Sequence, residues 1–400
     1  MKPKRSVATA AWLLAAVTLV GLAWTWWHAK PPAANNAGIT VATKPTPAEA
    51  AHSGMTNSPP GPSTPPNQQS PATTPPASHG RVQRSLDSNV VSKSKAKAPI
   101  AFTNSVFAPP GSTNYPRAVL SIYELQVTLA RQGLSPGSLD GMFGPQTRAA
   151  LKSFQQREHL PITGDLDQAT RELLLLTNSP TTSYIVTSND LARLQPLSPT
   201  WLGKSQQTAL DYETVLELVS EKGQASQTLV RRLNPDVDWD HVSAGNSIEL
   251  PEASSLKAGN RVAFVTIRLA DKVLEAWDEN TNLLAHFPCS IARRVEKRPV
   301  GELHVAVIVE NPNYTFDPQN FPESSEAREL NTKLVLPSGP NNPVGVAWIG
   351  LDKPGYGIHG TPNPEQVGRT ESHGCFRLAN WNAKYLAYIV GIGTPVYVEP

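Results

Sequence analysis

Residues 31–115 limit what this 400-residue chain can fold into. They are Pro, Ser, Thr, Asn and Ala with few large apolar side chains, and the chain's 38 prolines are spread unevenly. Such a stretch cannot bury enough apolar surface to offset the entropy of ordering it, which predicts a disordered or polyproline-rich linker. As a flexible coil of about 85 residues it would span roughly 50 Å, with stiffer proline runs extending it. That length suits a tether carrying a domain away from a membrane; a long tail with no spacing role is the alternative. Four hundred residues suffice for two or three domains, and those with a core must begin near Pro116.

The N-terminus places Lys2, Lys4 and Arg5 ahead of an uncharged run from Val7 to Trp27. Roughly 20 apolar residues span a bilayer. The basic flank is expected on the cytoplasmic side, with Trp24, Trp26 and Trp27 at the far interface. A cleavable signal peptide is the rival, but its small-x-small site is poorly formed here. Residues 1–30 therefore read as an uncleaved signal anchor, and under either reading the rest of the chain is exported. The formal net charge of +2 points to neither a nucleic-acid binder nor an acidic solvating protein. Two cysteines, Cys289 and Cys375, give no disulfide framework and no Cys-x-x-Cys motif.

From residue 116 the apolar period is helical: Val119, Ile122, Leu125 and Leu129, then Ala149, Leu151 and Phe154, then Leu166, Leu173 and Leu174. Turn chemistry separates the runs, with Pro145 at a first helical position and Asp167 as an N-cap. Three short helices over 116–178 follow. Residues 181–252 give helices at Tyr212–Lys222 and Ser226–Leu233, followed by Asn234-Pro235 and Ala244–Pro251. The latter half's similarity to a lysin motif, a small βααβ module, makes Tyr184-Ile185-Val186 a first strand, with about 25 residues inserted after it. From Arg261 the period becomes 2, with Val262/Phe264, Val273, Leu283/Leu284 and Val305/Val307/Val309 as strands. Residues 311–342 form a long Pro/Asn-rich excursion of the kind that makes lids. Ala383–Val390 reads as a helix and Pro395–Val398 as a closing strand. The fold class is multidomain α+β: a small three-helix domain, a small βααβ-like module, and a mostly-β sandwich or barrel over 261–400.

The chemistry concentrates in Gly357-Ile358-His359-Gly360-Thr361 and Ser372-His373-Gly374-Cys375-Phe376-Arg377. An ordinary thiol is only about 3% thiolate at pH 7, so a nucleophilic cysteine needs a base or cation beside it. His359 and His373 are the candidates. Lowering the thiol pKa to about 7 would raise the thiolate fraction more than tenfold, against a nucleophilicity loss with a Brønsted slope of about 0.4–0.5. Gly374 permits a tight turn, and the amides of Gly374 and Cys375 are candidate oxyanion donors. Two histidines and a cysteine without a fourth ligand at recognisable spacing, and no His-Glu-x-x-His, argue against a metal, and no cofactor is expected. Cys289, in Phe287-Pro288-Cys289-Ser290-Ile291, reads as a buried small hydrophobe. A disulfide joining it to Cys375 would consume the nucleophile.

These two segments resemble the signature of the L,D-transpeptidase family with its YkuD-type catalytic domain. The similarity extends through Arg298-Pro299-Val300-Gly301-Glu302, Leu336-Pro337-Ser338-Gly339-Pro340-Asn341-Asn342-Pro343 and Trp348-Ile349-Gly350-Leu351, covering roughly 261–400. Phe376 stands where the family more often has an aliphatic residue. Residues 117–178 resemble the peptidoglycan-binding-like three-helix domain through Leu139-Asp140-Gly141, Phe143-Gly144, Thr147–Leu151, Phe154-Gln155 and Gly164–Asp167. The latter half of 181–251 is similar to a lysin motif, from which the insertion departs; a spacer and a glycan binder are both open.

The resemblance implies that Cys375 is the nucleophile and His359 the general base, with the Gly360 carbonyl orienting its ring. His373 would tune the site or hold the loop, Ser372 would brace the loop, and Arg377 would meet a substrate carboxylate or the backbone. It further implies peptidoglycan as partner, in stem peptides and glycan, and action on the outer side of the cytoplasmic membrane. The expected reaction is 3→3 cross-linking through a cysteine thioester with release of D-alanine. An L,D-carboxypeptidase, attachment of a protein to the wall, and a non-catalytic wall-binding tether remain alternatives.

Overall fold

The structure, a computed structural model, describes residues 113–253, 261–321, 323–370, 372 and 374–400. The expected anchor at residues 7–27, nearly all of the linker, and His373 lie outside the described residues. No helix among the described residues is long and apolar enough to cross a membrane.

Strand β1 (Arg117–Ala118) leads into α1 (Ile122–Arg131), α2 (Pro145–Arg157), α3 (Gln168–Leu173) and β2 (Leu175–Leu176), which pairs antiparallel with β1. Ser121 caps α1 and Asp167 caps α3 through their side chains, and Pro145 occupies the first turn of α2, where its missing N–H costs nothing. Leu125, Leu129, Leu151, Phe154 and Leu174 close the core. Leu173 was expected with them but is half exposed, because α3 ends there and the chain turns into β2, burying Leu174 and Leu176 instead.

The second module is β3 (Thr181–Ile185), α4 (Ser188–Arg193), α5 (Trp201–Ser205), α6 (Val215–Lys222), α7 (Gln227–Leu233) and β4 (Ser247–Pro251). Strands β3 and β4 pair antiparallel, with Tyr184 opposite Ile248. The insertion is α4 and α5 with their flanks, each helix started by a threonine cap. This module shares its core with the preceding domain: Tyr123, Val127 and Leu139 bury against Leu216, Val219, Leu229 and Ile248.

The C-terminal region runs β5 (Phe264–Arg268), β6 (Val273–Trp277), β7 (Leu283–Pro288), β8 (Gly301–Glu310), β9 (Tyr314–Phe316), α8 (Ser325–Leu330), β10 (Leu334–Leu336), β11 (Ala347–Leu351), β12 (Gly357–His359), β13 (Phe376–Arg377), α9 (Asn380–Ile389) and β14 (Pro395–Glu399). Among the described residues, eight of these strands form one sheet in the order β13-β12-β11-β8-β14-β5-β6-β7. Pairing is parallel at β12/β13 and β14/β5 and antiparallel elsewhere. Just beyond β7, Ser290 exchanges two backbone hydrogen bonds of 2.9 and 3.0 Å with Arg377 of β13, so the two ends of the sheet meet and the sheet curls into a barrel. Helix α9 contributes Ala383, Leu386 and Ile389 to the core this sheet encloses.

The expected strand through Val305, Val307 and Val309 is β8; of the three valines Val305 is buried and the other two are exposed. A β-bulge sets Gly350 opposite Val307 but Leu351 opposite Val305, leaving Ala306 unpaired, and one extra residue moves the following side chains to the other face. Helix α9 begins at Asn380, three residues before the apolar run, because Asn380 binds backbone groups that face the helix start. The 311–342 excursion is not a plain loop. It folds as the β9/β10 hairpin with α8, and Phe316, Ala327 and Leu336 bury together with Leu210 of the second module's insertion.

The three-helix domain covers the open edge of β7. Leu134 bridges His286, with Gly133 O accepting from His286 N and Ser135 N donating to His286 O, both at 2.9 Å. Behind that edge, Glu275 accepts hydrogen bonds from Ser153 Oγ (3.0 Å) and Arg268 Nη1 (2.6 Å) and lies 3.1 Å from His286 Nδ1. Glu275 is wholly buried, a cost that alone would raise its pKa; the His286 and Arg268 contacts reverse this and hold it at about 2. A depressed carboxylate stabilises the fold above its unfolded pKa of about 4.3, and that stability goes as pH falls through the folded value. Urea unfolding should therefore show stability dropping between about pH 4.3 and 2, and Glu275→Ala should cost about 1–3 kcal/mol at pH 7 by removing the buried acceptor of Ser153 and Arg268. A pH-independent loss below 1 kcal/mol would contradict this role.

Candidate active site

His359 ends β12, opposite Trp348 of β11 on one side and Arg377 of β13 on the other. Its ring is buried and stacks on Trp348 at 5.6 Å with the planes 25° apart. Nδ1 lies 2.6 Å from the Gly360 carbonyl oxygen, an atom that can only accept, so Nδ1 carries the hydrogen and Nε2 holds the lone pair. Burial, aided by the Arg377 charge and opposed by the Gly360 bond, lowers the imidazole pKa to about 4. The ring is neutral at physiological pH.

The Gly360 turn is fixed from α9. Asn380 Oδ1 accepts from Thr361 N (3.0 Å) and Val346 N (3.3 Å), while its Nδ2 donates to Pro340 O (3.1 Å) and to Glu221 Oε2 of the second module (3.0 Å). Gly360 is required by this crowding: a Cβ there would sit 2.2 Å from Asn380 Oδ1. Burial pushes Glu221 up to about 7.

Cys375 immediately precedes β13, so the pairing of that strand with β12 on one side and Ser290 on the other sets the thiol's position. Ser372 ties the preceding loop: its N donates to Ile291 O, its O accepts from Arg293 N, its Oγ donates to Cys375 O and accepts from Gly374 N at 3.2 Å. The Gly374 amide is thereby engaged. The thiol donates to Gly355 O at 3.5 Å. The expected lowering of the thiol pKa is not found. Burial raises it above the ordinary value, and the Gly357 backbone and the Arg377 guanidinium only partly offset that. The cleft at rest holds a neutral thiol and a neutral imidazole, because dehydration penalises both charged forms.

Cys375, His359, Ser372, Gly374 and Arg377 line one cleft of about 810 Å³. Arg377 also borders a pocket of about 330 Å³ that includes Ser290, Thr361 and Gln366. Burial lowers the Arg377 pKa, and Tyr314 of β9 lies within reach of the charges of both Cys375 and Arg377. Tyr314, Trp348, Tyr356 and Trp201 also line the cleft and were not among the expected site residues. Trp348 is recoverable from sequence as the strand residue opposite His359; Trp201, about 150 positions upstream, carries no such signal. Both cysteines are free thiols, and Cys289 is fully buried with its pKa pushed up by burial.

Residues 263–398 match the family described as YkuD, the L,D-transpeptidase catalytic domain, and residues 120–174 match the family described as "Putative peptidoglycan binding domain". The chain is 26% identical over 186 residues to "Putative L,D-transpeptidase YkuD" of Bacillus licheniformis, covering 46% of this chain and 93% of that protein. It is 46% identical over 120 residues to the Bacillus subtilis protein of the same name, covering 30% of this chain and spanning just over half of the relative, 56%. Among solved structures it is similar to an L,D-transpeptidase from Xylanimonas cellulosilytica, at 14% identity and a TM-score of 0.30, with 73% of this chain and 100% of that chain covered. The chain therefore carries a YkuD-family L,D-transpeptidase catalytic domain, preceded by a domain of the peptidoglycan-binding family.

Proposed function

We propose that this protein forms 3→3 cross-links between peptidoglycan stem peptides on the outer side of the cytoplasmic membrane, through a thioester on Cys375. The observation that carries the reading is a thiol and a neutral histidine in one cleft, with the histidine's Nδ1–H already committed to Gly360 O. In this reading His359 Nε2 takes the Cys375 proton as Sγ bonds to the carbonyl carbon at the L-centre of the third stem residue. Generating the thiolate only at attack avoids a standing charge in a buried site. The Cys375 amide stabilises the oxyanion, and Arg377 meets the carboxylate of the terminal D-alanine. The imidazolium, stacked on Trp348, gains about 0.5–2 kcal/mol from the ring quadrupole. It returns the proton to the D-alanine amine as the C–N bond breaks. The acceptor amine then loses its proton to His359 and attacks the thioester, releasing the thiol. The three-helix domain would hold the enzyme on the wall and the N-terminal apolar run would hold it on the membrane.

Three results test this. Iodoacetamide labelling of Cys375 should follow an apparent pKa above that of an ordinary thiol, so the rate keeps rising beyond pH 9; a plateau below pH 7 would show a resting thiolate. His359→Ala should slow acylation of Cys375 by a carbapenem about 10²–10⁴-fold, far more than His373→Ala does; the reverse order would reassign the base. Incubation of residues 113–400 with disaccharide-tetrapeptide should give cross-linked dimer by mass spectrometry, and none with Cys375→Ala. Tripeptide alone would make the protein a carboxypeptidase, and no product with retained binding to sacculi would make it a tether.

A further inference from the structure

The second module's insertion reaches the catalytic cleft. Both carboxylate oxygens of Glu326, in α8, accept from the first turn of α5: Trp201 N at 2.9 Å and Leu202 N at 3.0 Å. Further along, Leu210 N donates to Ser338 O and Leu210 O accepts from Asn341 N, both at 2.9 Å. Between these two clamps Trp201 stacks on Phe316 of β9 at 4.3 Å and 15°, with Phe321 5.6 Å away. Lys204 lies over the same indole. Trp201, Phe321 and Tyr314 line the cleft that holds Cys375 and His359.

We propose that Trp201 is a specificity-determining wall of the catalytic cleft, through which the second module fixes the β9/β10/α8 flap and limits the breadth of the donor that reaches Cys375. Two further observations separate this from ordinary surface packing. The flap's own apolar core is small, and Leu210 of the insertion is one of its buried members, so the flap does not close its core without the second module. The contact is also tight at the backbone: Gly339 sits at φ +145°, and a Cβ there would collide with the Leu210 carbonyl. A stem peptide attached to glycan is the ligand class that such a wall would select, a point that rests on the transpeptidase reading; the restriction of access does not.

The test compares thiol labelling with turnover in the full chain. Cys289 is buried, so labelling absent from Cys375→Ala reports Cys375 alone. Trp201→Ala should speed reaction of Cys375 with a bulky maleimide conjugate about two- to tenfold relative to iodoacetamide, in line with the loss of one stacked aromatic pair. Trp201→Phe should restore the wild-type ratio, and Gly339→Ala, which pries at the same contact from the flap side, should shift the ratio in the same direction. With disaccharide-tetrapeptide the effect of Trp201→Ala should fall on KM more than on kcat. An unchanged ratio, or equal acceleration of both reagents, overturns the proposal. A shifted ratio in a protein whose wild type turns over no wall fragment would overturn the transpeptidase reading and leave the wall in place.

Discussion

Strand β13 is two residues long, and the site depends on that strand being held along both edges. Parallel pairing with β12 sets Arg377 beside His359, and the two hydrogen bonds to Ser290 close the barrel against it. Two residues of strand do not stand alone in water; here the pairing costs little because β12 and the segment after β7 are already ordered by their own neighbours. Cys375, one position before the strand, inherits this placement with no helix or disulfide of its own. The buried position also sets the electrostatics. The same desolvation that leaves His359 neutral raises the thiol, so both groups rest uncharged in the cleft.

The domains upstream are built into this site and are not merely strung along the chain. Leu134 caps the edge of β7, Tyr123 completes the core of the second module, and that module reaches the catalytic region at Glu221–Asn380 and at Trp201–Phe316. Asn380 matters most in this wiring. One side chain gathers Thr361 N, Val346 N, Pro340 O and Glu221, and so connects the second module to the turn whose carbonyl orients His359. The two domains that match known families therefore share a scaffold.

What was legible in the sequence was local. Asp167 and Pro145 mark helix starts through backbone chemistry that acts within one turn, and each sits where its residue type predicts. That the Cys375 and His359 segments would share one cleft was legible because a thiol, histidines and turn glycines lie close together in the chain. Which β8 valines are buried was not legible because a bulge shifts the period by one without a sequence mark, and Leu173 was misplaced because its helix ended sooner than its apolar run. Trp201 and Asn380 were invisible as site residues, since their roles come from contacts across more than a hundred and about twenty positions, respectively. The thiol pKa went the other way from expectation because neighbours can be read from sequence and the depth of burial cannot.

In the proposed reaction Cys375 carries the acyl group in a covalent intermediate. Intact-protein mass spectrometry after brief mixing with a tetrapeptide donor, followed by acid quench and peptide mapping, reads that intermediate directly. A mass increase equal to the donor less D-alanine is expected, located on the peptide containing Cys375 and lost on treatment with hydroxylamine. A protein that releases D-alanine with no adduct, or with the adduct on any other residue, would contradict it.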